Sequence, residues 1–187
     1  MIATSAFATT LLLALPYAQG AQKGGVTMQD HITVSGKTLS LNGMGIREAT
    51  WMNIDVYVAG LYLERTSSNP VTILGFPQTM RLQMQFVRGV SKSDLTDALH
   101  KGVEKNVGAD ARPRLKDRIA RLTSWMSKIE KGQTMTFTWI PGKGTEVVVN
   151  GAVKGTIEGD DFGRALFSVW IGPNPPNNGL KKGLLGK

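Results

Sequence analysis

The sequence predicts an α+β fold in which helices cover one face of a large, mostly antiparallel sheet. The first observation is the order of the periodicities, which runs strands, two helices, strands and a last helix. The second is the length of 187 residues with 41% apolar residues, which suits one domain with a real core. The third is the turn signals that join neighbouring strand segments, as hairpins require.

The N-terminal residues precede this fold and are predicted to be a targeting signal. Residues 2–19 contain no charged side chain, and the apolar run from Ala6 to Pro16 is shorter than the roughly 20 residues that span a bilayer. The small residues Ala18 and Gly20 occupy the −3 and −1 positions of a cleavage site. A cut after Gly20 is therefore expected.

This signal divides the chain into residues 1–20, a signal peptide, and residues 21–187, a single mature domain without internal repeats. We expect an exported protein, periplasmic if the source is a Gram-negative bacterium. An uncleaved helix that anchors the chain to a membrane is the alternative, because Met1 to Ser5 lacks the usual Lys or Arg.

Three segments in the first half of the mature chain predict strands. The alternation in His31–Leu41, interrupted at Ser35-Gly36, predicts a hairpin. Apolar residues occupy both parities of Trp51–Glu64, so we expect a central strand covered on both faces. In Met80–Phe86 apolar residues alternate with Arg and Gln, which is typical of a half-buried strand with one wet face.

Two helices are predicted next. Ser91 and Asp94 form a capping-box-like start to the first, which is expected to end at Asn106 and Gly108. Pro113 suits the first turn of the second. Their apolar stripes, which we expect to pack in the core, are Leu95, Ala98, Leu99 and Val103, and then Leu115, Ile119, Leu122, Met126 and Ile129.

Period-two alternation then returns and predicts three further strands. Met135–Trp139 leads through a turn at residues 141–144 into Glu146–Val149. Asn150-Gly151 is a strong hairpin signal, because a type I′ turn needs positive φ at both central residues, and it predicts Ala152–Ile157 as the return strand.

A last amphipathic helix is predicted before the C-terminal prolines. Asp160 or Asp161 is expected to cap its N-terminus, because acidic residues there accept from free N–H groups. The helix is expected to continue through Trp170 and to stop before Pro173. Its inward-facing residues are predicted to be Phe162, Leu166, Val169 and Trp170.

Composition excludes much chemistry. The chain has no Cys, so it holds no disulfide, thiolate nucleophile or Cys-ligated metal. Its two histidines, His31 and His100, lie in different segments, and neither has a His four residues on, so the helical His pair of many zinc enzymes is absent. The Gly142–Thr145 stretch fits a hairpin turn rather than a phosphate-binding loop. From general chemistry we expect no catalytic residue, no cofactor and no metal.

The net charge of +8 is concentrated on one helix and on the C-terminal tail. Few aromatic residues lie between these cations, so we expect no nucleic-acid binding. A solvated face is the simplest interpretation, and peripheral contact with an anionic membrane surface is the alternative. The cations are Arg112, Arg114, Lys116, Arg118, Arg121 and Lys128 in the helix and Lys181, Lys182 and Lys187 in the tail.

An ordered set of motifs resembles the chalcone isomerase-like superfamily, most closely its bacterial, exported branch. The motifs are Leu41–Arg47 (LNGMGIR), Val56–Glu64 (VYVAGLYLE), Phe86–Ser91 (FVRGVS), Phe162–Phe167 (FGRALF), Trp170–Gly172 and Leu180–Lys182. The resemblance covers the chain from about residue 31 to the C-terminus. It implies an open-faced β-sandwich with an apolar cleft between a large antiparallel sheet and its covering helices.

The resemblance also implies candidate site residues. Arg47 matches the Arg that follows the first Gly-x-Gly in the family's enzymes, and Asn106 can be matched to a helical Asn. Tyr57 stands at a strand Thr position. Leu99 and Val169 replace the Tyr and Thr whose hydroxyl groups serve the isomerase reaction, which puts that activity in doubt.

These residues lead to a binding hypothesis. The fork of donors on Arg47 matches a carboxylate bidentately, and the Tyr57 hydroxyl can add a further donor. Fatty-acid-binding members of the family are similar in using an Arg and a Tyr. We therefore expect an exported, non-catalytic protein that binds a small amphipathic carboxylate, such as a fatty acid, through Arg47, Tyr57 and Asn106.

Three alternatives remain open from the sequence. Arg47 could pair with Glu48 or Asp55 at a sheet edge, with Tyr57 as a core residue. The chain could instead be an isomerase or intramolecular lyase that acts on an enone, with Arg47 stabilising an oxyanion. It could also be an envelope interaction module that uses the basic helix at residues 112–131.

Overall fold

The computed structural model describes residues 20–49 and 54–187. The predicted signal peptide, apart from Gly20, lies outside the described residues, and so does the start of the strand predicted over residues 51–64. No helix in the described part of the chain is long and apolar enough to cross a membrane. The strands are β1 Gly20–Lys23, β2 Val26–Gln29, β3 His31–Val34, β4 Lys37–Ala49, β5 Ile54–Leu63, β6 Met80–Phe86, β7 Thr134–Ile140, β8 Gly144–Val149 and β9 Ala152–Ile157. The helices are α1 Pro70–Gly75, α2 Lys92–Asn106, α3 Arg112–Ser124, α4 Asp160–Ile171 and α5 Asn178–Leu184.

Strands β3 to β9 form one seven-stranded sheet in chain order, with every neighbouring pair antiparallel. This confirms the predicted α+β class. The two tightest predicted hairpins have the expected backbone, because Ser35 and Gly36 have φ of 47° and 78° and Asn150 and Gly151 have φ of 49° and 78°. Strand β5 lies inside the sheet, and its second half is buried on both faces, as predicted.

The main core lies between one face of this sheet and the helices. Alternate residues of β6 bury their side chains there and the residues between them are less buried, as predicted for a strand with one buried face. Met135, Phe137 and Trp139 of β7 are buried on the same face, but Thr138 between them is buried as well. Ser91 caps α2 as predicted, since its Oγ accepts from the Asp94 N–H at 3.1 Å. The predicted inward residues of α4 are all buried.

The opposite face of the sheet is partly covered by the β1–β2 hairpin, a pair of strands that was not predicted from the sequence. Val26 and Met28 pack there against Val58 and Tyr62. The Tyr62 hydroxyl also donates to the Gln29 carbonyl at 3.0 Å. The hairpin begins at Gly20, which pairs with Gln29, directly at the predicted cleavage position.

The second predicted helix is shorter than its apolar stripe suggested. Helix α3 ends at Ser124, so Met126 and Ile129 are not helical. The Thr123 and Ser124 hydroxyls donate to carbonyls three residues earlier, and such bonds compete with helix continuation. Ile129 is still fully buried, because its backbone forms an antiparallel bridge with Val90.

The N-terminus of α4 also differs from the prediction. Gly159, at φ 100°, is the capping residue, and no side-chain cap forms. The Asp160 carboxylate instead accepts from Trp139 Nε1 and from the Gly142 N–H, both at 3.0 Å. The Asp161 carboxylate accepts one hydrogen bond from each terminal nitrogen of Arg118, both at 2.7 Å. Both acidic residues therefore join α4 to neighbouring elements rather than capping it.

Two short helices, α1 and α5, were not predicted from the hydrophobic periodicity. Helix α1 begins with an Asn69 cap and Pro70 at its first turn, a local signal that would have identified it. Helix α5 lies in the C-terminal segment that the sequence predicts as a charged tail. It docks on the sheet by burying Leu180 and Leu184, and Lys181 donates to the Gly172 carbonyl at 2.7 Å.

The Arg118–Asp161 pair predicts a pH dependence of stability. The bidentate bond to Arg118 lowers the pKa of Asp161 below its ordinary value of 3.8. A depressed folded-state pKa stabilises the fold above the unfolded value, and the contribution is lost as the pH falls through the folded value. Because the Asp161 side chain is 57% exposed, we expect Asp161→Asn to lower the free energy of unfolding by under about 1 kcal/mol at pH 7. Urea unfolding of both proteins should show this difference shrinking below about pH 4; a difference that grows there would contradict the assignment.

Candidate functional site

A cavity of about 630 Å³ opens between the sheet and helices α2 and α4. Its volume lies within the roughly 300–1,000 Å³ that is usual for small-molecule sites. Buried apolar and aromatic side chains form most of the inner wall, and charged residues of α2 and the segment after β6 stand at the mouth. The inner wall includes Tyr57, Met84, Phe86, Leu99, Met135, Phe137, Val169 and Trp170.

Two glycines of β4 decide where Arg47 lies. Gly43, Gly45 and Arg47 are two residues apart, so they share one face of the strand. Helix α5 rests directly on the two glycines, and a Cβ on Gly45 would lie only 2.9 Å from the Leu180 Cα. The absence of side chains lets α5 approach β4, and the next position on this face, Arg47, comes to the cavity wall.

Arg47 and Tyr57 are directly opposite each other on β4 and β5. In an antiparallel pair, opposite residues project to the same face, so both reach the same end of the cavity. One terminal nitrogen of Arg47 donates to the Glu48 backbone carbonyl. The sequence left an ion pair with Glu48 or Asp55 open, and within residues 20–49 and 54–187 the guanidinium forms none.

Tyr57 is a buried side chain on the cavity wall. Only 9% of the residue is exposed, and its ring packs on Phe86 with centroids 5.3 Å apart. The hydroxyl accepts from Trp170 Nε1 at 2.9 Å. Burial raises the pKa of Tyr57 to about 12, although the Trp170 hydrogen bond and the Arg47 charge act in the opposite direction. The phenol therefore stays protonated at neutral pH, and its O–H can donate a hydrogen bond.

The comparisons with known proteins bear on this fold and cavity. A family model described as chalcone isomerase-like matches residues 20–186. The chain belongs to the chalcone isomerase-like family. A search of the curated proteins finds no match.

Among solved structures, the chain is similar to a fatty-acid binding protein of Arabidopsis thaliana. The TM-score is 0.69 at 19% identity, and the alignment covers 89% of this chain and 95% of that one. At this identity the likeness shows the fold, and it confirms the expected chalcone isomerase-like arrangement of a curled antiparallel sheet with covering helices.

Leu99 and Val169 stand where the family's enzymes were expected to carry a Tyr and a Thr. Both are buried and both line the cavity, so these wall positions present methyl groups instead of hydroxyls. Val169 also packs closely against Gly102, where a Cβ would collide with its side chain. The α2–α4 contact therefore fixes this apolar part of the wall.

Asn106 is not brought to the cavity with Arg47 and Tyr57. Its amide nitrogen donates to the Gly102 carbonyl at 2.9 Å and to the Asn174 carbonyl at 2.8 Å, and its oxygen accepts from the Asn174 N–H at 2.9 Å. These bonds pin the segment between α4 and α5, and Pro175 and Pro176 of that segment line the cavity. Asn106 thus fixes the segment that forms one wall of the cavity. It does not itself line the cavity, so the structure does not place it in the predicted direct contact with a ligand.

The cavity mouth and the methionines of its floor were not predicted from the sequence. Arg88, Lys101 and Lys105 at the mouth outnumber the acidic Asp94 and Asp97 there. A positive mouth favours the approach of an anionic molecule. The three cations are exposed. Lys101 and Lys105 share one face of α2 through their i, i+4 spacing, whereas Arg88 precedes the helix and joins them only in the fold.

The basic helix α3 lies apart from the cavity and is partly neutralised. Arg118 pairs with Asp161, and the Arg121 guanidinium lies over the Trp125 ring at 5.2 Å. Lys128, beyond the helix end, pairs with Glu130 at 2.7 Å. Contact of this surface with an anionic membrane stays a prediction. Among the described residues, no group of three or more His, Asp or Glu side chains could hold a metal ion.

Proposed function

We propose that the protein is an exported, non-catalytic member of its family that binds a small amphipathic carboxylate, such as a fatty acid. The observation that carries this proposal is the pairing of Arg47 and Tyr57 at one end of an apolar cavity. The guanidinium offers a planar fork that suits the two carboxylate oxygens, and the phenol of Tyr57 offers one more donor, its O–H. The head of the ligand is placed at this end and its chain against the apolar wall.

The apolar wall supports an extended hydrocarbon chain as the ligand body. Met84, Phe137 and Val169 are each at most 2% exposed and line the cavity. Each buried methylene contributes about 0.8 kcal/mol, so a chain that covers this wall would supply most of the binding free energy. The similar fold of a plant fatty-acid binding protein supports the same ligand class.

The non-catalytic part of the proposal rests on Leu99 and Val169. Both positions lie on the cavity wall, and neither side chain can donate a hydrogen bond to a ketone or orient a phenolate. Arg47 alone could stabilise an oxyanion, which is the basis of the isomerase alternative. Incubation of the pure protein with chalcones tests it, and turnover that disappears in Arg47→Ala would overturn the non-catalytic proposal.

Replacing Arg47 with Ala tests the assigned role of this residue. A hydrogen bond to a charged group contributes about 1.5–3 kcal/mol, so we expect a roughly tenfold to hundredfold weaker Kd for palmitate. Native mass spectrometry should also show less co-purified lipid. Arg114→Ala is the matched control, because Arg114 is an exposed arginine on α3 and not on the cavity wall. Equal lipid occupancy and equal Kd in Arg47→Ala and Arg114→Ala would show that Arg47 does not bind the ligand.

Export is proposed from the uncharged segment at residues 2–19 and the small residues before Ala21. Expression of the full chain in a Gram-negative host tests it. We expect recovery from the periplasm with Ala21 as the first residue by N-terminal sequencing, whereas an intact N-terminus in the cytoplasm would contradict export.

A further inference from the structure

Trp170 makes a hydrogen bond that the proposed binding mode does not use. Its indole Nε1 lies 2.9 Å from the Tyr57 hydroxyl, and both side chains line the cavity. The two residues come from α4 and β5, so the bond connects the helical layer with the sheet. It is buried, and therefore sheltered from competition with water.

The chemistry of the two groups fixes the direction of this bond. An indole nitrogen can donate but cannot accept, so the Tyr57 oxygen is the acceptor. The hydroxyl proton must then point elsewhere, and no acceptor for it is found in the described part of the chain. Burial keeps that proton in place at neutral pH. Among the described residues nothing competes for this proton, and a molecule in the cavity can accept it.

Packing holds the indole in position. Trp170 is 7% exposed, and its ring lies against Phe137 with centroids 5.6 Å apart at an interplanar angle of 42°. Trp170 lies near the C-terminal end of α4, in a run of buried residues from Leu166 to Ile171. The donor that orients Tyr57 is thus set by the core, before any ligand enters.

We propose that Trp170 is a positioning residue that makes this end of the cavity selective for hydrogen-bond acceptors. This rests on the proposed function, because it concerns the head of the molecule held by Arg47 and Tyr57. With Trp170 in place, both side chains present donors to the ligand. A carboxylate accepts from both with charged oxygens. An alcohol oxygen is a weaker, neutral acceptor, and the alcohol also brings an O–H that needs an acceptor of its own.

The test compares two probes of equal chain length, palmitate and 1-hexadecanol, on wild type and Trp170→Phe. Phe keeps an aromatic ring against Phe137 but removes the N–H. We expect the wild type to bind palmitate more tightly than hexadecanol. In Trp170→Phe the Kd for palmitate should rise about fivefold to tenfold, while the Kd for hexadecanol should stay within about twofold of the wild-type value. Trp125→Phe is the matched control, since Trp125 lies outside the cavity wall.

A second variant and a spectroscopic signature separate this role from simple packing. Tyr57→Phe should reduce the preference for palmitate by a similar factor, and the double variant should show no further loss, because the two groups act as one unit. In ligand-free protein, Tyr57→Phe should shift the indole N–H resonance of Trp170 in a ¹H–¹⁵N spectrum. If the indole N–H resonance of Trp170 is unchanged in Tyr57→Phe, the two side chains are not hydrogen-bonded and the proposal fails.

The outcomes also distinguish this proposal from the proposed function. Equal weakening of both probes in Trp170→Phe, or no weakening of palmitate, overturns the role of Trp170 and leaves carboxylate binding intact. Failure of the wild type to bind either probe overturns the proposed function and the role of Trp170 with it.

Discussion

Met84→Trp is expected to abolish high-affinity binding of a long-chain carboxylate while the fold is retained. Met84 lies on β6, is 2% exposed and forms part of the cavity floor, opposite Met135 on β7. An indole there would occupy space that the ligand chain needs. Loss of about four buried methylenes costs about 3 kcal/mol, which is a roughly two-hundredfold weaker Kd. Palmitate titration of the wild type and the variant measures this effect.

Leu82→Trp is the matched control for this prediction. Leu82 precedes Met84 by two residues on the same face of β6 and is 1% exposed, but it packs in the core and is not part of the cavity wall. Overpacking at such a site costs about 1–3 kcal/mol, so this variant should lose stability and Met84→Trp should lose much less. Equal losses of stability in urea unfolding would show that the space at Met84 is not available to a ligand.

The sheet and most of its hairpins could be predicted from the sequence because their signals are local. A type I′ turn needs positive φ at two adjacent residues, and Ser35-Gly36 and Asn150-Gly151 supply it. The end of α3 could not be predicted in this way, because the apolar stripe continues to Ile129 with helical spacing. The apolar residues of this stripe are buried whether or not the segment is helical. The bridge between Val90 and Ile129, a contact distant in sequence, determines that the backbone after Ser124 is not helical.

Part of the candidate site could also be predicted from local sequence signals. Arg47 and Tyr57 were chosen from motifs on two neighbouring strands, and antiparallel register brings them together. Asn106 was chosen from a resemblance in one helix, and its partner Asn174 lies in a loop with no periodicity to reveal it. Trp170 was correctly expected to face inward, but its hydrogen bond to Tyr57 depends on how α4 crosses the sheet.

Gly45→Ala is expected to lower stability substantially, although it adds a single methyl group. The new Cβ would meet the backbone of Leu180, at 2.9 Å from its Cα, and backbone cannot rotate away as a side chain can. Helix α5 would have to lift from β4, which exposes Leu180 and Leu184, both fully buried. We expect a loss of about 3 kcal/mol and a fall in Tm of about 9 °C, measured by calorimetry.

Gly108→Ala provides the comparison, because a Cβ at Gly108 meets nothing within 4 Å. It should change the free energy of unfolding by less than about 1 kcal/mol. Gly45→Ala should also weaken palmitate binding, since α5 is continuous with the segment that carries Pro175 and Pro176, and Asn177 of that segment donates to the Ile46 carbonyl at 3.2 Å. A Gly45→Ala protein as stable as Gly108→Ala would show that α5 does not depend on this close approach, and the explanation of why glycines precede Arg47 on β4 would fail.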